Sequence, residues 1–322
     1  MLGISKVSAD GHNWSMGAYA TDYLEKTWPT SYGGRGGSYD AEGGKDAASN
    51  KNFIWDMCSV SNISYRTYGE FADDYKPNIP VLKNHFCPFY TSWDESIRDT
   101  TRFAQWKRDF DSLLLINQVP QLNTLRFIND HTQGLQNGKP SPNAHVADND
   151  LATGLFIEYL SHSKIWNESV VFILEDDAQN GPDHVDAHRS PLYVAGGFVK
   201  RNYIDHTMYS TSSVLKTIEL ILGLQPMSQY DAGAESLWRC FTDSANSKPF
   251  KAVPAQIDLN EVNIAFNKWQ KMSESFDFGM EDRVPDAPFN EVLWWYAKGD
   301  HAPCPAPVHS AFLKLNSEKE ED

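Results

Sequence analysis

Five consecutive apolar residues, Val170-Val171-Phe172-Ile173-Leu174, run without a break into Glu175-Asp176-Asp177. A short apolar run of this kind reads as a central strand covered on both faces. Acids placed directly behind such a strand are costly unless they are solvated, paired or bound to a cation. Residues 172–191, FILEDDAQNGPDHVDAHRSP, carry five carboxylates and two histidines. Asp oxygen and His nitrogen are good ligands for zinc and manganese. His184 and His188 are four apart, so one helical turn would bring them to the same side. Asn-Gly-Pro-Asp is turn chemistry in its own right, and a solvated turn is the plain alternative. The strand-end position favours a site.

The rest of the chain repeats the alternation. NFIWDMCSVSN from Asn52 reads as an amphipathic helix and ISYRTYG as a strand. Ser96–Asn117 and Asp148–Ser163 read as helices, PLYVAGGFV as a strand, and TSSVLKTIELILG as a helix with a Thr/Ser start and a Gly stop. Ala18–Lys26, Ile257–Ser275 and Asn290–Lys298 are further helix candidates, and HAPCPAPV is an extended stretch expected to wrap back on the domain. Strand–helix alternation predicts an α/β fold, a mainly parallel sheet with helices on both faces. One domain is expected over residues 1–322, with 245–322 as a peripheral C-terminal extension. Ligands of such sheets bind beyond the carboxyl ends of the strands. A second strand, LNTLRFIN, runs into Asp130-His131. Alone that pair reads as a hydrogen-bonded turn; beside another acidic strand end it becomes a site candidate.

Charge narrows the partners. The chain has 28 basic and 43 acidic residues, a net charge of −15. Such a surface repels nucleic-acid backbones, yet a bound metal can reverse the field locally for a small phosphorylated substrate. No apolar run approaches the roughly 20 residues of a membrane-spanning helix, and MLGISKVSADGH has no apolar segment of the signal-peptide kind. Cys58, Cys87, Cys240 and Cys304 show no CxxC spacing. Cys58 and Cys87 form a disulfide in an oxidising compartment, or all four are buried thiols. In VSADGHNW, Ser8 offers a hydroxyl nucleophile, Gly11 a close backbone approach, and His12 and Asn13 contacts to a phosphate or metal. The ten Trp, fourteen Tyr and seventeen Phe are first of all core material, and otherwise platforms for a non-catalytic binding module.

EDDAQNGPDHVDAHRSP followed by YSTSSVLKTIELILGLQPMSQYDA resembles the phosphoesterase family of phospholipase C and acid phosphatase type, within the alkaline phosphatase superfamily. SADGHNWSMGAYATDYLEKTWP, SYRTYGEF, FINDHT and VADNDLATGLFIEYLSHSKIWNESVVFILEDD resemble the same family, in a subgroup often fused behind a β-propeller; EVLWWYAKG fits it near the end. The resemblance implies an alkaline phosphatase-like fold and hydrolysis of phosphate esters. The substrate would be a small phosphorylated molecule or a phospholipid head group. It implies a divalent metal (Zn, Mn, Ca or Mg) on Asp176 and Asp177, and Ser8 as nucleophile. His184 and His188 would contact phosphate or metal, joined by His131. It also implies a periplasmic or secreted location. The family opens with a strand ending in a metal-binding Glu-Asn pair, and no Glu-Asn-Arg motif occurs in this sequence. The expectation is therefore a chain cut short relative to the family, either an active hydrolase or a catalytically impaired member.

Overall fold

The computed structural model describes residues 1, 8–31, 52–178, 181–183, 185–264, 266–280 and 282–309. Helices α1 (Ser8–Gly17) and α2 (Asp22–Ser31) precede α3 (Ile54–Val60) and strand β1 (Tyr65–Tyr68). The hairpin β2 (Ala72–Asp73) and β3 (Lys76–Pro77) follows, then α4 (Asp99–Leu115), β4 (Leu122–Leu125) and α5 (Pro142–Ser161). Strands β5 (Val170–Leu174) and β6 (Leu192–Gly196) lead to α6 (Thr211–Leu222), α7 (Gln229–Gly233), α8 (Lys268–Ser273) and α9 (Asp286–Lys298). The molecule is α/β, and most of the expected elements form close to where the sequence puts them.

Strand pairing meets the expectation of parallel strands in part. β1 pairs in parallel with β4, from Tyr65↔Leu122 to Tyr68↔Leu125, and its other edge makes a parallel bridge from Thr67 to Phe86. β5 and β6 pair antiparallel, from Val170↔Gly196 to Leu174↔Leu192. Parallel neighbours need a long crossover, usually a helix. The described residues between 175 and 191 contain no helix, and β6 runs back against β5 after this acid-rich segment. Val171 and Ile173 pack on the cluster around Trp106, and Phe172 on the cluster around Val214 and Leu237. Both faces of β5 are covered as its apolar run requires. All five residues are nonetheless only half-buried, because β6 is its one strand partner among the described residues.

Two apolar clusters carry the fold. Phe53, Trp55 and Phe71 meet with ring centroids 4.8–6.0 Å apart, joined by Tyr65 of β1 and Leu215 of α6. Trp106 of α4 stacks on Phe110 at 4.7 Å and meets Phe156 of α5 edge-on at 4.5 Å. Each buried aromatic side chain of this kind contributes on the order of 2–3 kcal/mol through burial. α5 starts on a cap: the Ser141 hydroxyl accepts from the Ala144 amide, with Pro142 at the first helical position. α6 ends at Gly223, whose φ of 70° is left-handed.

One local reading is corrected. The helix expected over Ile257–Ser275 is confined to Lys268–Ser273. Asn263 instead donates through its side chain to the carbonyls of Gly134, Gln136 and Pro140, which holds residues 261–263 extended against 138–141. Those side chain–backbone bonds outcompete a helix ladder. The four cysteines are free thiols, with Cys58 and Cys87 buried and Cys240 and Cys304 half-buried. At the proline-rich end, the Val308 amide donates to the Asp183 carbonyl and Val308 accepts from Ala187.

Candidate active site

α1 is a polar helix with almost no exposed residue: Ser8, Asp10, His12, Asn13 and Ser15 are all buried. A helix of that composition is stable inside a protein only if its side chains find partners there. It packs against α6 and lies across the end of β5. Gly11 makes the approach: a Cβ on it would lie 2.5 Å from the Asp176 carbonyl oxygen. His12, one residue on, stands with Nε2 3.5 Å from Asp176 Oδ2. Its Nδ1 is 2.8 Å from Glu70 Oε1, and the Glu70 backbone is held by the Thr67 hydroxyl, which donates to its carbonyl at 2.6 Å. Glu70 follows β1 as Asp176 follows β5, so His12 bridges the ends of two strands.

At the other end of α1, the amides of Ser8 and Ala9 donate to the two oxygens of Asp282 at 2.7 and 2.6 Å. A carboxylate at a helix N-terminus is favoured by the orphan amides and the helix dipole. Asp282 is also near Asp177. Burial raises the Asp177 carboxyl well above the usual range, and the negative charges of Asp176, Asp282 and Asp286 raise it further. Asp177 is 7% exposed, and its Oδ2 has no hydrogen-bond partner. Such an oxygen costs about 1–3 kcal/mol unless a proton or a cation satisfies it.

Asp130 adds to this charge. It lies on a 3-10 turn, Asn129–His131, four residues beyond the last residue of β4 rather than at the strand's end. The turn is anchored from α4 and α5. Asp99 accepts from the amides of Ile128 and Asn129 at 3.1 and 2.8 Å, and Asp148 accepts from the Asn129 side chain at 3.0 Å. Asn149 donates to Asp130 Oδ1 at 3.0 Å. Burial, then Glu175, pushes the Asp130 carboxyl well up, and Glu175 is raised chiefly by its own burial. Asp130, Glu175, Asp176 and Asp177 therefore crowd four acidic groups at the carboxyl end of β5, and burial and mutual repulsion favour the protonated forms of Asp130, Glu175 and Asp177.

The histidines expected at the site are placed elsewhere or lie outside the description. His184 is outside the described residues. Residues 185–190 form no helix, so one helical turn does not carry His188. The His188 ring Nδ1 is 2.8 Å from Asp186, and its ring meets His309 at 5.5 Å. His131 is held by Glu95, Nδ1 to Oε1 at 3.0 Å, among the rings of Trp93, Phe278 and Phe289. Burial would lower its pKa, but Glu95 outweighs that and raises it to about 9. Among the described residues, the imidazole facing the tandem acids is His12.

Three acidic residues at the site escaped the sequence reading. Glu70 follows a strand in SYRTYGEF, which is the same signal that marked Asp176. Asp282 and Asp286 carry no local signal at all, since they reach the site from the far end of the chain. As to a metal, no three His, Cys, Asp or Glu side chains among the described residues are arranged to hold an ion. The chemistry of the tandem acids fits one even so, because a divalent cation would supply the counter-charge that the unpartnered Asp177 oxygen lacks.

A comparison with curated proteins finds no match. The family model of the Phosphoesterase family matches residues 11–225, a range that holds His12, Glu70, Asp130, Asp176, Asp177 and His188 and leaves Ser8, Asp282 and Asp286 outside it. This chain belongs to the phosphoesterase family.

Proposed function

We propose that the chain hydrolyses phosphate esters at the carboxyl end of β5, with Ser8 as nucleophile and Asp176 and Asp177 holding a divalent metal ion. The observation that carries this reading is the buried Asp177 carboxylate, one oxygen without a partner, among three other acids beside the first turn of α1. Zn, Mn, Ca or Mg bound there would neutralise that charge and polarise the phosphoryl oxygens. The membership of the family supports phosphate esters as the substrate class.

The chain's own groups have separable roles in this reading. Ser8 opens α1; its amide and that of Ala9 are taken by Asp282, and its hydroxyl is the group offered for attack. Its oxygen gives up its proton and bonds to phosphorus as the ester oxygen leaves, and the leaving alkoxide takes up a proton in turn. His12 is oriented by Glu70 at Nδ1 and presents Nε2 on the Asp176 side, where it exchanges that proton. Gly11 lets α1 sit close enough to the strand end for these groups to act together. Water then releases phosphate from the seryl ester. Asn149 and the Asp99–Asp148 pair hold the Asp130 turn beside the acids.

The test is hydrolysis of p-nitrophenyl phosphate and bis(p-nitrophenyl) phosphate by the purified chain, before and after chelation, with each metal added back. Turnover that chelation removes and one metal restores is expected, together with a phosphoserine that mass spectrometry traps at Ser8. Undiminished turnover in Ser8→Ala would remove the nucleophile assignment. Turnover indifferent to chelation would remove the metal.

A further inference from the structure

The far end of the chain reaches the site from two sides. Phe278, Val284 and Phe289 form one buried apolar cluster, and the His131 ring lies 6.3 and 5.8 Å from the Phe278 and Phe289 rings. The chain beyond His131 is close-packed on the same unit. A Cβ on Gly134 would lie 2.5 Å from the Ser273 hydroxyl and 3.1 Å from the Phe289 ring, and the Ser273 hydroxyl accepts from the Leu135 amide at 2.8 Å. Asp282 stands between two members of that cluster in sequence, so it is mounted on the turn that carries Asp130. From there its two oxygens reach α1 and accept from the Ser8 and Ala9 amides.

An ordinary helix cap does not explain this contact. A cap usually comes from the residue just before the helix. This one comes from 274 positions away, on a carboxylate buried beside acids. Its negative charge acts on Asp177, as that of Asp286 does, and like charges repel more strongly where water is excluded. The Asp282 backbone also takes a φ of 58°, a left-handed conformation that few residues other than glycine adopt. A short polar side chain ahead of α1 would satisfy the same amides with neither cost. Unfavourable placements that a fold keeps are concentrated at functional sites.

The geometry of the contact says what it controls. Two oxygens on two successive amides, at 2.7 and 2.6 Å, fix both the position and the rotation of the first turn of α1. One of those amides belongs to Ser8, the residue that offers the hydroxyl. One turn further on, Gly11 lies against the Asp176 carbonyl and His12 stands 3.5 Å from the Asp176 carboxylate. The polar helix is thus gripped at its start by Asp282 and at its middle by the end of β5. Helix ends fray when their orphan amides lose their partners, and here the fraying end would carry Ser8 with it.

Resting on the phosphoesterase reading, we propose that Asp282 is a positioning residue: by taking the Ser8 and Ala9 amides it keeps the Ser8 hydroxyl in place for attack. The family model ends at residue 225, so this role makes the chain beyond that point part of the active site and not a covering of it.

The test measures kcat and KM for p-nitrophenyl phosphate, with the activating metal, in the full chain, Asp282→Ala and Asp282→Asn. Each is assayed with sodium formate and with sodium chloride at equal ionic strength. Asp282→Ala should lose at least fivefold in kcat rather than in KM, since a misplacement of about 1 Å costs up to roughly a hundredfold. Formate is a small carboxylate that fits the two freed amides, and it should restore at least threefold where chloride restores none; a merely structural role gives no such rescue. Asp282→Asn keeps one oxygen for one amide and should lose at least twofold, less than the alanine variant. Hydrogen exchange at the Ser8 and Ala9 amides, read without turnover, should be at least tenfold faster in Asp282→Ala. Smaller changes than these, or a loss carried by KM, overturn the proposal; if circular dichroism shows the alanine variant unfolded, the asparagine variant decides by the same rule. Turnover lost in Ser8→Ala but kept in Asp282→Ala removes the proposal alone. A parent chain without turnover removes the phosphoesterase reading, and the positioning role falls with it.

Discussion

Glu95→Gln tests the ion pair that locks the Asp130 turn. The His131 and Glu95 side chains are 10% and 1% exposed, and the contact is 3.0 Å, so solvent screens it little. Raising the imidazole from 6.5 to about 9 amounts to roughly 3 kcal/mol in favour of the charged ring, at about 1.4 kcal/mol per tenfold change in proton affinity. The sign follows from the direction of the shift. The folded state holds the proton more tightly than the unfolded one, so this stabilisation is complete below pH 6.5 and is lost as pH rises through about 9. At pH 7 roughly 2.5 kcal/mol of it remains. Glutamine keeps the shape and one acceptor but removes the charge, so the variant should be less stable by about 2 kcal/mol at pH 7. That gap should shrink to under about 1 kcal/mol by pH 10. Urea unfolding at several pH values gives the gap, and the His131 ring proton resonance gives the titration midpoint. A midpoint at or below 6.5, or a gap independent of pH, would refute the ion pair as the origin of the turn's rigidity.

Other substitutions address different parts of the structure. Gly11→Ala places a methyl group 2.5 Å from the Asp176 carbonyl oxygen; the helix must move, at a cost of about 1–3 kcal/mol, and both melting temperature and phosphoesterase rate should fall. Glu219, buried between α6 and α7, is raised to about 9 by burial and then by Asp231. Its neutral form is favoured in the fold, so stability should decline between pH 4.5 and about 9. Glu219→Gln should flatten that decline and be the more stable protein at pH 8 in denaturant titrations. Burial lowers the His145 imidazole to about 4, so it contributes acid instability below pH 6.5 that His145→Gln should reduce on acid unfolding.

Local patterns made the elements legible, and long-range contacts made the site less so. β5 and α6 could be read from an apolar run and from capping chemistry, because the forces that shape them act within a few residues. The direction of β6 could not, since it depends on what the intervening turn does with its acids. Asp176 and Asp177 were marked by their place behind an apolar strand, whereas the His12–Glu70 contact spans 58 positions and the Asp282 cap on Ala9 spans 273. His131 was marked as a site residue through its neighbour Asp130, whereas the acid that holds its ring is Glu95. The Ile257–Ser275 pattern read as a helix because apolar spacing does not register the three carbonyls waiting for Asn263.

The central claim is that catalysis depends on the carboxylate of Asp177 rather than on the bulk of the segment around it. The direct measurement is kcat for p-nitrophenyl phosphate in Asp177→Asn against the parent chain, both saturated with the activating metal and both shown to be folded. The account predicts a loss of at least a hundredfold, about 2.7 kcal/mol of transition-state stabilisation. It also predicts a higher melting temperature without metal, because one buried like charge is gone. A rate within twofold of the parent would contradict it.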